Sequence, residues 1–213
     1  MTTAQIQVRR ALPGEAPLIA AALADAFRDD PVIGWLIPPG MSAREERFKA
    51  FFGSMARSYL RRDKHVLVAG AEPSGAGPGD VLGAALWSQP GQWRLPPAEI
   101  ARETAAAVKA FGRHLPRALR LLNQVEGLHP NDPKHWYLGY LGTRCDAQGK
   151  GLGGAMLRGA LDEADAKRVP AYLESSNERN LTLYERHGFR VVEEIKCLGV
   201  GPSIYRMWRE PAS

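Results

Sequence analysis

The sequence predicts one α+β domain, a three-layer α/β arrangement with helices on both faces of a mixed, twisted sheet. Three observations predict this class. About seven short segments alternate apolar with polar residues, or are rich in β-branched and aromatic residues, as strands are. Amphipathic helical segments lie between them. A strand, a glycine-rich loop, a helix and a second strand also follow one another over residues 136–176, an order that makes two strands parallel.

The bulk properties are those of one globular domain over residues 1–213. No apolar run approaches the roughly 18 residues of a membrane span, and the first residues lack the apolar core of a signal peptide, so we expect a cytoplasmic location and no membrane partner. The net charge of +5 is scattered along the chain. Scattered charge indicates a solvated surface or attraction of a small polyanion, and no nucleic-acid partner.

The first half of the chain contains three predicted strands and two predicted helices. Ser42 and Glu45 form a candidate capping box before a helix with an aromatic stripe, which we interpret as core or as a wall of a substrate pocket. In chain order, the predicted elements are the strand Ile6–Leu12, the helix Glu15–Arg28, a loop or short turn over "DDPVIGWLIPPGM", the helix "RFKAFFGSMARSYLRR" and the strands "HVLVAG" and "VLGAALWS", joined by the flexible loop 71–80.

The second half begins with a helical insertion at about residues 96–124, in which Pro97 suits a first turn and Pro116 interrupts or restarts the helix. The elements that follow are the strand "WYLGYLGT", the helix Leu152–Lys167, the strand "AYLESS", a short helix capped by Gly188, and the strands "FRVVEEI" and "SIYRMWRE", which can pair as a hairpin. Cys145 and Cys197 have no metal-ligand spacing, so we expect no metal site.

Four glycines lie between Gly149 and Gly154. A P-loop is excluded, because Gly151 follows Lys150 where a hydroxyl is needed to hold magnesium. A dinucleotide fingerprint fits the spacing Gly149-x-Gly151-x-x-Gly154, and Glu174 lies where a ribose-binding acid would be. Only 39 residues follow Glu174, however, too few for the remaining crossovers of such a domain.

A third interpretation uses the whole stretch. Gln148-x-x-Gly151-x-Gly153 resembles the pyrophosphate-binding signature of the GNAT superfamily of N-acetyltransferases, and "LESSNERNLTLYERHGF" is similar to the segment that follows it there. The resemblance is close from Tyr137 to Val192 and is strongest to small-molecule enzymes of the puromycin N-acetyltransferase type. It implies a splay between the two central parallel strands, and acetyl-CoA as co-substrate.

The physics of a pyrophosphate agrees with this resemblance, since backbone N–H groups at a helix N-terminus, with glycines that allow close approach, bind anions well. The resemblance implies backbone contacts to the pantetheine arm and thioester from three strand residues. The implied acetyl-CoA-binding residues are Leu141, Gly142, Thr143, Gln148, Gly149, Lys150, Gly151, Leu152, Gly153, Gly154, Asn180 and Tyr184. Thr143 and Cys145 depart from the family, which has an apolar residue two before a proline there.

Two residues are the candidate catalytic groups. By resemblance, Tyr184 protonates the departing thiolate; packing on the core is the alternative. Asn180 either contacts the pantetheine or only caps its helix. Glu174, on a central strand, is a general base or a structural hydrogen-bond partner. His135 and Glu126 are the other candidate bases, and we expect His129 and His187 at the surface.

The implied reaction is transfer of an acetyl group from acetyl-CoA to a primary amine of a small molecule. A protein N-terminal or lysine acetyltransferase and a non-catalytic acyl-CoA sensor are the alternatives, and the protein is expected to be a monomer or homodimer. The segment "DDPVIGWLIPP" and the insertion are candidate walls of the acceptor pocket. Candidate apolar surfaces, or else core residues, are Trp35, Phe52, Trp87 and Trp136.

Overall fold

The computed structural model describes residues 7–62, 64–70 and 80–212, so most of the loop 71–80 lies outside the described residues. Its strands are β1 Gln7–Arg10, β2 His65–Gly70, β3 Val81–Ser88, β4 Trp136–Thr143, β5 Ala171–Ser175, β6 Arg190–Lys196 and β7 Ser203–Arg209. They form one seven-stranded sheet in the order β1-β2-β3-β4-β5-β7-β6. All neighbours are antiparallel except β4 and β5. The predicted mixed sheet and C-terminal hairpin are confirmed.

Helices cover both faces of this sheet. They are α1 Ala16–Ala26, α2 Pro31–Leu36, α3 Arg44–Arg61, α4 Pro97–Phe111, α5 Leu115–Leu128, α6 Leu152–Ala166 and α7 Leu181–Glu185. One core lies between the sheet and the helices α1 to α5. The other lies beneath α6 and α7. No helix in the described ranges is both long and apolar enough to cross a lipid bilayer.

The start of α2 corrects the predicted loop over residues 29–41. Asp30 caps this helix, since its Oδ1 accepts hydrogen bonds from the backbone N–H groups of Val32 and Ile33 at 3.0 and 2.9 Å. Pro31 occupies the first turn, where a missing N–H costs nothing. The Asp-Pro pair was therefore a helix-start signal.

The predicted capping box before α3 is wrong. Ala43, in a left-handed conformation with φ 52°, is the N-cap residue and offers no side-chain acceptor. Ser42 lies one residue too early, and its carbonyl oxygen instead accepts a 2.9 Å hydrogen bond from Arg47 Nε. Two helices occupy the stretch predicted as helical and extend it to Leu128; the break between them is a 3₁₀ turn at Gly112–His114, and Pro116 lies in the first turn of α5.

The central strands β4 and β5 separate part-way along their length. They pair from Trp136↔Ala171 to Leu138↔Leu173. Beyond that point β4 remains paired with β3, and β5 with β7. A bulge at Gly139 coincides with the separation, because Leu86 pairs with Tyr140 while Trp87 pairs with Leu138. The predicted splay is thus confirmed.

Candidate functional site

The gap between β4 and β5 is the centre of the candidate site. A Cβ added at Gly139 would lie 2.3 Å from the Tyr59 hydroxyl, so only glycine allows α3 to pack here. Gly142 has the same role toward α1, since an added Cβ would lie 2.7 Å from the Ala26 Cβ. Gly142 is thus a close-packing residue, while the bulge falls three residues earlier at Gly139.

The glycine loop continues from the end of β4 into α6. Gly149 and Gly151 both have φ 76°, a conformation that disfavours other residues. A Cβ atom added at either one would meet no atom within 4 Å, so the loop surface is open at both positions. Such a surface lets another group approach the backbone closely.

The N-terminus of α6 offers free hydrogen-bond donors. Gly151 is its N-cap residue and has no side chain to accept a hydrogen bond, and the first intrahelical bond is from Ala155 N to Gly151 O, at 3.0 Å. The N–H groups of Leu152, Gly153 and Gly154 precede that bond and have no intrahelical acceptor. Together with the helix dipole they make an anion-binding end.

Two loop side chains make local hydrogen bonds. Gln148 Nε2 donates to Thr143 O at 3.2 Å, which ties the loop to the end of β4. Lys150 Nζ donates to Asp146 O at 3.1 Å and remains exposed, so its charge lies beside the open glycines. Leu141 packs partly buried against the core beneath α6.

Cys145 has a backbone N–H group, which a proline at this position would lack. Its backbone N–H donates to Asp25 Oδ2 at 2.6 Å, and its Sγ lies 3.6 Å from Asp25 O. This hydrogen bond holds the C-terminal end of α1 against the start of the glycine loop. The departure from the expected proline therefore has a structural reason.

Tyr184 is buried and packs on Phe189, with ring centroids 6.1 Å apart, within the core beneath α6 and α7. Burial, and then the charge of Asp30, raises the pKa of its hydroxyl, so it stays protonated at neutral pH. Asn180 is exposed and its side chain makes no capping hydrogen bond, whereas Asn177 caps the preceding 3₁₀ turn. Capping by Asn180 is therefore wrong.

Asp30 is a site residue that the sequence did not single out. Its Oδ2 accepts a hydrogen bond from Ser176 Oγ, just after β5, so it joins α2 to the edge of the gap. Burial raises the pKa of this carboxyl, against the opposing effect of its hydrogen bonds. Its capping position before Pro31 was the available signal.

Glu174 lies on the sheet face covered by α1 and α3, opposite the core that contains Tyr184. Its side chain is 9% exposed, and Oε1 has no hydrogen-bond partner among the described residues. The hydroxyls of Tyr137 and Tyr172 face this carboxylate; burial and then its charge raise the pKa of both. A buried carboxylate with an unpartnered oxygen is costly unless it is used.

His129 is buried, which corrects its expected place at the surface. Its Nδ1 is 3.6 Å from Glu174 Oε1, and its Nε2 is 3.0 Å from His135 Nε2. His129 lies in the turn after α5, and the Trp93 ring stacks on its ring with the two ring centroids 3.8 Å apart. Glu126 is exposed on α5. His187 is half-buried, with Nδ1 2.8 Å from Leu183 O.

A buried lysine also lies near this cluster. Lys64 Nζ donates to Ser88 Oγ at 2.8 Å and lies 4.2 Å from the centroid of the Tyr59 ring. Burial, and then the charge of Arg62, lowers the pKa of this amine to about 7. Nothing in the local sequence distinguishes Lys64 from a surface lysine.

The insertion covers the face on which Glu174 lies. Arg61 of α3 binds Glu99 and Glu103 of α4 at 2.8 and 2.5 Å. Gln124 of α5 accepts a 2.8 Å hydrogen bond from Leu198 N, in the turn between β6 and β7. The insertion thus bridges α3 and the last hairpin.

The four aromatic candidates divide clearly. Phe52, Trp87 and Trp136 are fully buried core residues. Trp35 is half-buried, with the Arg117 guanidinium 4.6 Å from its ring centroid. The predicted aromatic stripe of α3 extends to β4 and α4, because the Phe51 ring is 5.9 Å from Tyr140 and 5.4 Å from Phe111.

Residues 35–189 match the model of the acetyltransferase (GNAT) family. An uncharacterized N-acetyltransferase of Schizosaccharomyces pombe is 29% identical over an alignment of 189 residues, and the alignment covers 80% of this chain and 68% of the yeast protein.

Three solved structures share the fold. A Corynebacterium glutamicum protein described as histone acetyltransferase HPA2 and related acetyltransferase has a TM-score of 0.69 at 25% identity, over 98% of this chain and 97% of that one. Arylalkylamine N-acetyltransferase 2 from Aedes aegypti has a TM-score of 0.67 at 14% identity, over 98% and 100%. Drosophila melanogaster polyamine N-acetyltransferase has a TM-score of 0.64 at 17% identity, over 97% and 100%.

Proposed function

Because the chain belongs to the GNAT family of acetyltransferases, we propose that it transfers the acetyl group of acetyl-CoA to a primary amine of a small molecule, by direct attack on the thioester. One observation carries the proposal. Glu174, a buried carboxylate on β5 where β4 and β5 separate, and Tyr184, a buried phenol in the core beneath α6 and α7, lie on opposite faces of the sheet. An acyl transfer to an amine is helped by a base that takes a proton from the nucleophile and by an acid that protonates the leaving group.

The acetyl-CoA pyrophosphate is proposed to bind at the glycine loop. The open positions Gly149 and Gly151, the free N–H groups that follow and the exposed Lys150 all suit an anion. The pantetheine arm would lie in the gap beside Leu141, Gly142 and Thr143. In the same proposal the exposed Asn180 side chain faces the arm.

The chemistry divides between two residues. Glu174, directly or through water, takes a proton from the acceptor ammonium, which leaves the nitrogen lone pair free to attack the thioester carbon. Tyr184, whose raised pKa keeps its hydroxyl protonated beforehand, donates its proton to the departing sulfur. The attacking nitrogen loses its second proton as the amide forms, and that proton returns through water to the Tyr184 oxygen, so the products are a neutral amide, a thiol and a neutral phenol.

Several features support a small amine as acceptor. The Tyr137 and Tyr172 rings lie beside the carboxylate and Trp93 stacks on the neighbouring His129 ring, and aromatic rings attract cations. The insertion closes this face, which suits a compact acceptor better than an extended peptide. The similar enzymes of Aedes aegypti and Drosophila melanogaster are named for arylalkylamines and polyamines. The histone acetyltransferase name of the Corynebacterium glutamicum protein keeps a protein acceptor as the alternative.

A thiol-release assay tests the proposal. The acceptors are phenethylamine, tryptamine, agmatine and spermidine, beside a lysine peptide and a free N-terminal peptide. We expect turnover with at least one small amine and none with peptides. Peptide turnover alone would show a protein acetyltransferase. Saturable acetyl-CoA binding without thiol release from any acceptor would show an acyl-CoA sensor.

A further inference from the structure

A chain of three side chains leads from Glu174 into the protein. Glu174 Oε1 is 3.6 Å from His129 Nδ1, and His129 Nε2 is 3.0 Å from His135 Nε2. His135 Nδ1 in turn is 2.8 Å from the carbonyl oxygen of Pro133. Both imidazoles are buried.

The contact of His135 with Pro133 determines which nitrogen atoms of the two histidine rings carry hydrogen. A carbonyl oxygen only accepts, so His135 carries its hydrogen on Nδ1. Burial is the main cause that lowers the pKa of His135, so this ring is neutral and its Nε2 holds a lone pair. His129 must therefore donate from Nε2. When His129 is neutral, its Nδ1 then presents a lone pair toward Glu174.

We propose that His129 Nδ1 is where the proton of the acceptor ammonium comes to rest after Glu174 has taken it up. The inference rests on the proposed acetyl transfer. The N–H bond of the ammonium breaks, an O–H bond forms on Glu174 and is replaced by an N–H bond on His129, and the electron pair stays on the amine nitrogen. The product state is an imidazolium beside a carboxylate, and the proton passes to water when the product leaves. His135 is a positioning residue that sets the tautomer.

The advantage of this arrangement is basicity. An imidazole in a model peptide is about two pKa units more basic than a carboxylate, so proton uptake is about a hundredfold more favourable on histidine. The titratable and charged groups that face the pair are the hydroxyls of Tyr59, Tyr137, Tyr140 and Tyr172, the His135 ring and the Arg206 guanidinium.

The kinetic test compares His129→Gln with His65→Gln. His65 is a matched control, since it is also buried and its Nδ1 lies 3.4 Å from a glutamate, Glu163, at the opposite core. We expect His129→Gln to lower kcat/KM for phenethylamine about a hundredfold at pH 7. The KM for acetyl-CoA should not change, and the acidic limb of the pH profile of kcat/KM should move to lower pH. The loss should shrink with aniline, whose amine is already neutral. His65→Gln should keep the wild-type pH profile.

Each outcome is decisive. Wild-type protein that acetylates no amine refutes the proposed function itself. The role of His129 alone is overturned if the wild type turns over and His129→Gln has the same kcat/KM. It is also overturned if the loss of kcat/KM in His129→Gln is as large with aniline as with phenethylamine.

A second measurement needs neither turnover nor a folded variant. Nitrogen-15 correlation spectra of the histidine rings in the wild-type protein should show neutral His129 protonated on Nε2 and His135 on Nδ1. Neutral His129 protonated on Nδ1 would also overturn the proposal.

Discussion

Replacement of Cys145 by proline would remove one hydrogen-bond donor while the backbone stays compatible. The preceding residue, Arg144, has φ −48° and ψ 144°, which is the extended conformation that a residue before proline prefers. The main loss is the 2.6 Å hydrogen bond from the backbone N–H to Asp25 Oδ2. A hydrogen bond to a charged group contributes about 1.5–3 kcal/mol.

The Asp25 side chain is 36% exposed, so water would replace part of that interaction. We therefore expect Cys145→Pro to lower the free energy of unfolding by about 1–2 kcal/mol. For a chain of this length that is a fall in Tm of roughly 2–8 °C. Cys145→Ala keeps the backbone donor and is the matched control, with a much smaller fall.

Chemical and thermal unfolding of four proteins would isolate the interaction: wild type, Cys145→Pro, Asp25→Ala and the double variant. The effects should not be additive, since each single change removes the same hydrogen bond. Additive effects, or a proline variant as stable as wild type, would refute this account of the departure from the family pattern.

Three further predictions concern other parts of the site. Tyr184→Phe should lower kcat at least tenfold with unchanged acetyl-CoA affinity, while Tyr205→Phe on β7 should change neither. If Tyr184→Phe turned over as fast as the wild type, Tyr184 would not be the acid that protonates the sulfur. Gly151→Ala, at φ 76°, should cost about 1 kcal/mol of stability and weaken acetyl-CoA binding in calorimetry, whereas Gly127→Ala in α5 should leave binding intact. The pKa of Lys64 is lowered from 10.5 to about 7 in the folded protein. Because the unfolded chain binds more protons between those two pH values, the free energy of unfolding should rise with pH across that window. Urea titrations should show this rise for the wild type and not for Lys64→Met.

The strands and the glycine loop could be predicted because their signals are local. The strands β2 and β3 are rich in apolar residues because both of their faces are buried. The C-terminal hairpin was predicted from the alternating sequence of its two strands. The helix α2 was missed because its six residues give too short a periodicity, although Asp30 and Pro31 mark its start. The burial of His129 depends on how a turn after α5 packs under a distant strand, and no local pattern contains that information.

The loop glycines illustrate the same division. The motif from Gln148 to Gly153 predicted an anion-binding helix start, and the positive φ angles of Gly149 and Gly151 agree with it. The position of the strand bulge, in contrast, depends on packing against another element and could not be predicted from the motif. Gly139 is the bulge residue because the Tyr59 hydroxyl needs the space of its missing side chain.

The insertion of α4 and α5 ends directly before His129, so one continuous segment supplies both the cover over the acceptor face and the partner of Glu174. Under the proposed function, a change in its length or packing during divergence would alter both which amines enter and how readily they lose a proton. The two properties would be inherited together. An engineer who grafts a different insertion onto this sheet would need to rebuild the histidine turn with it.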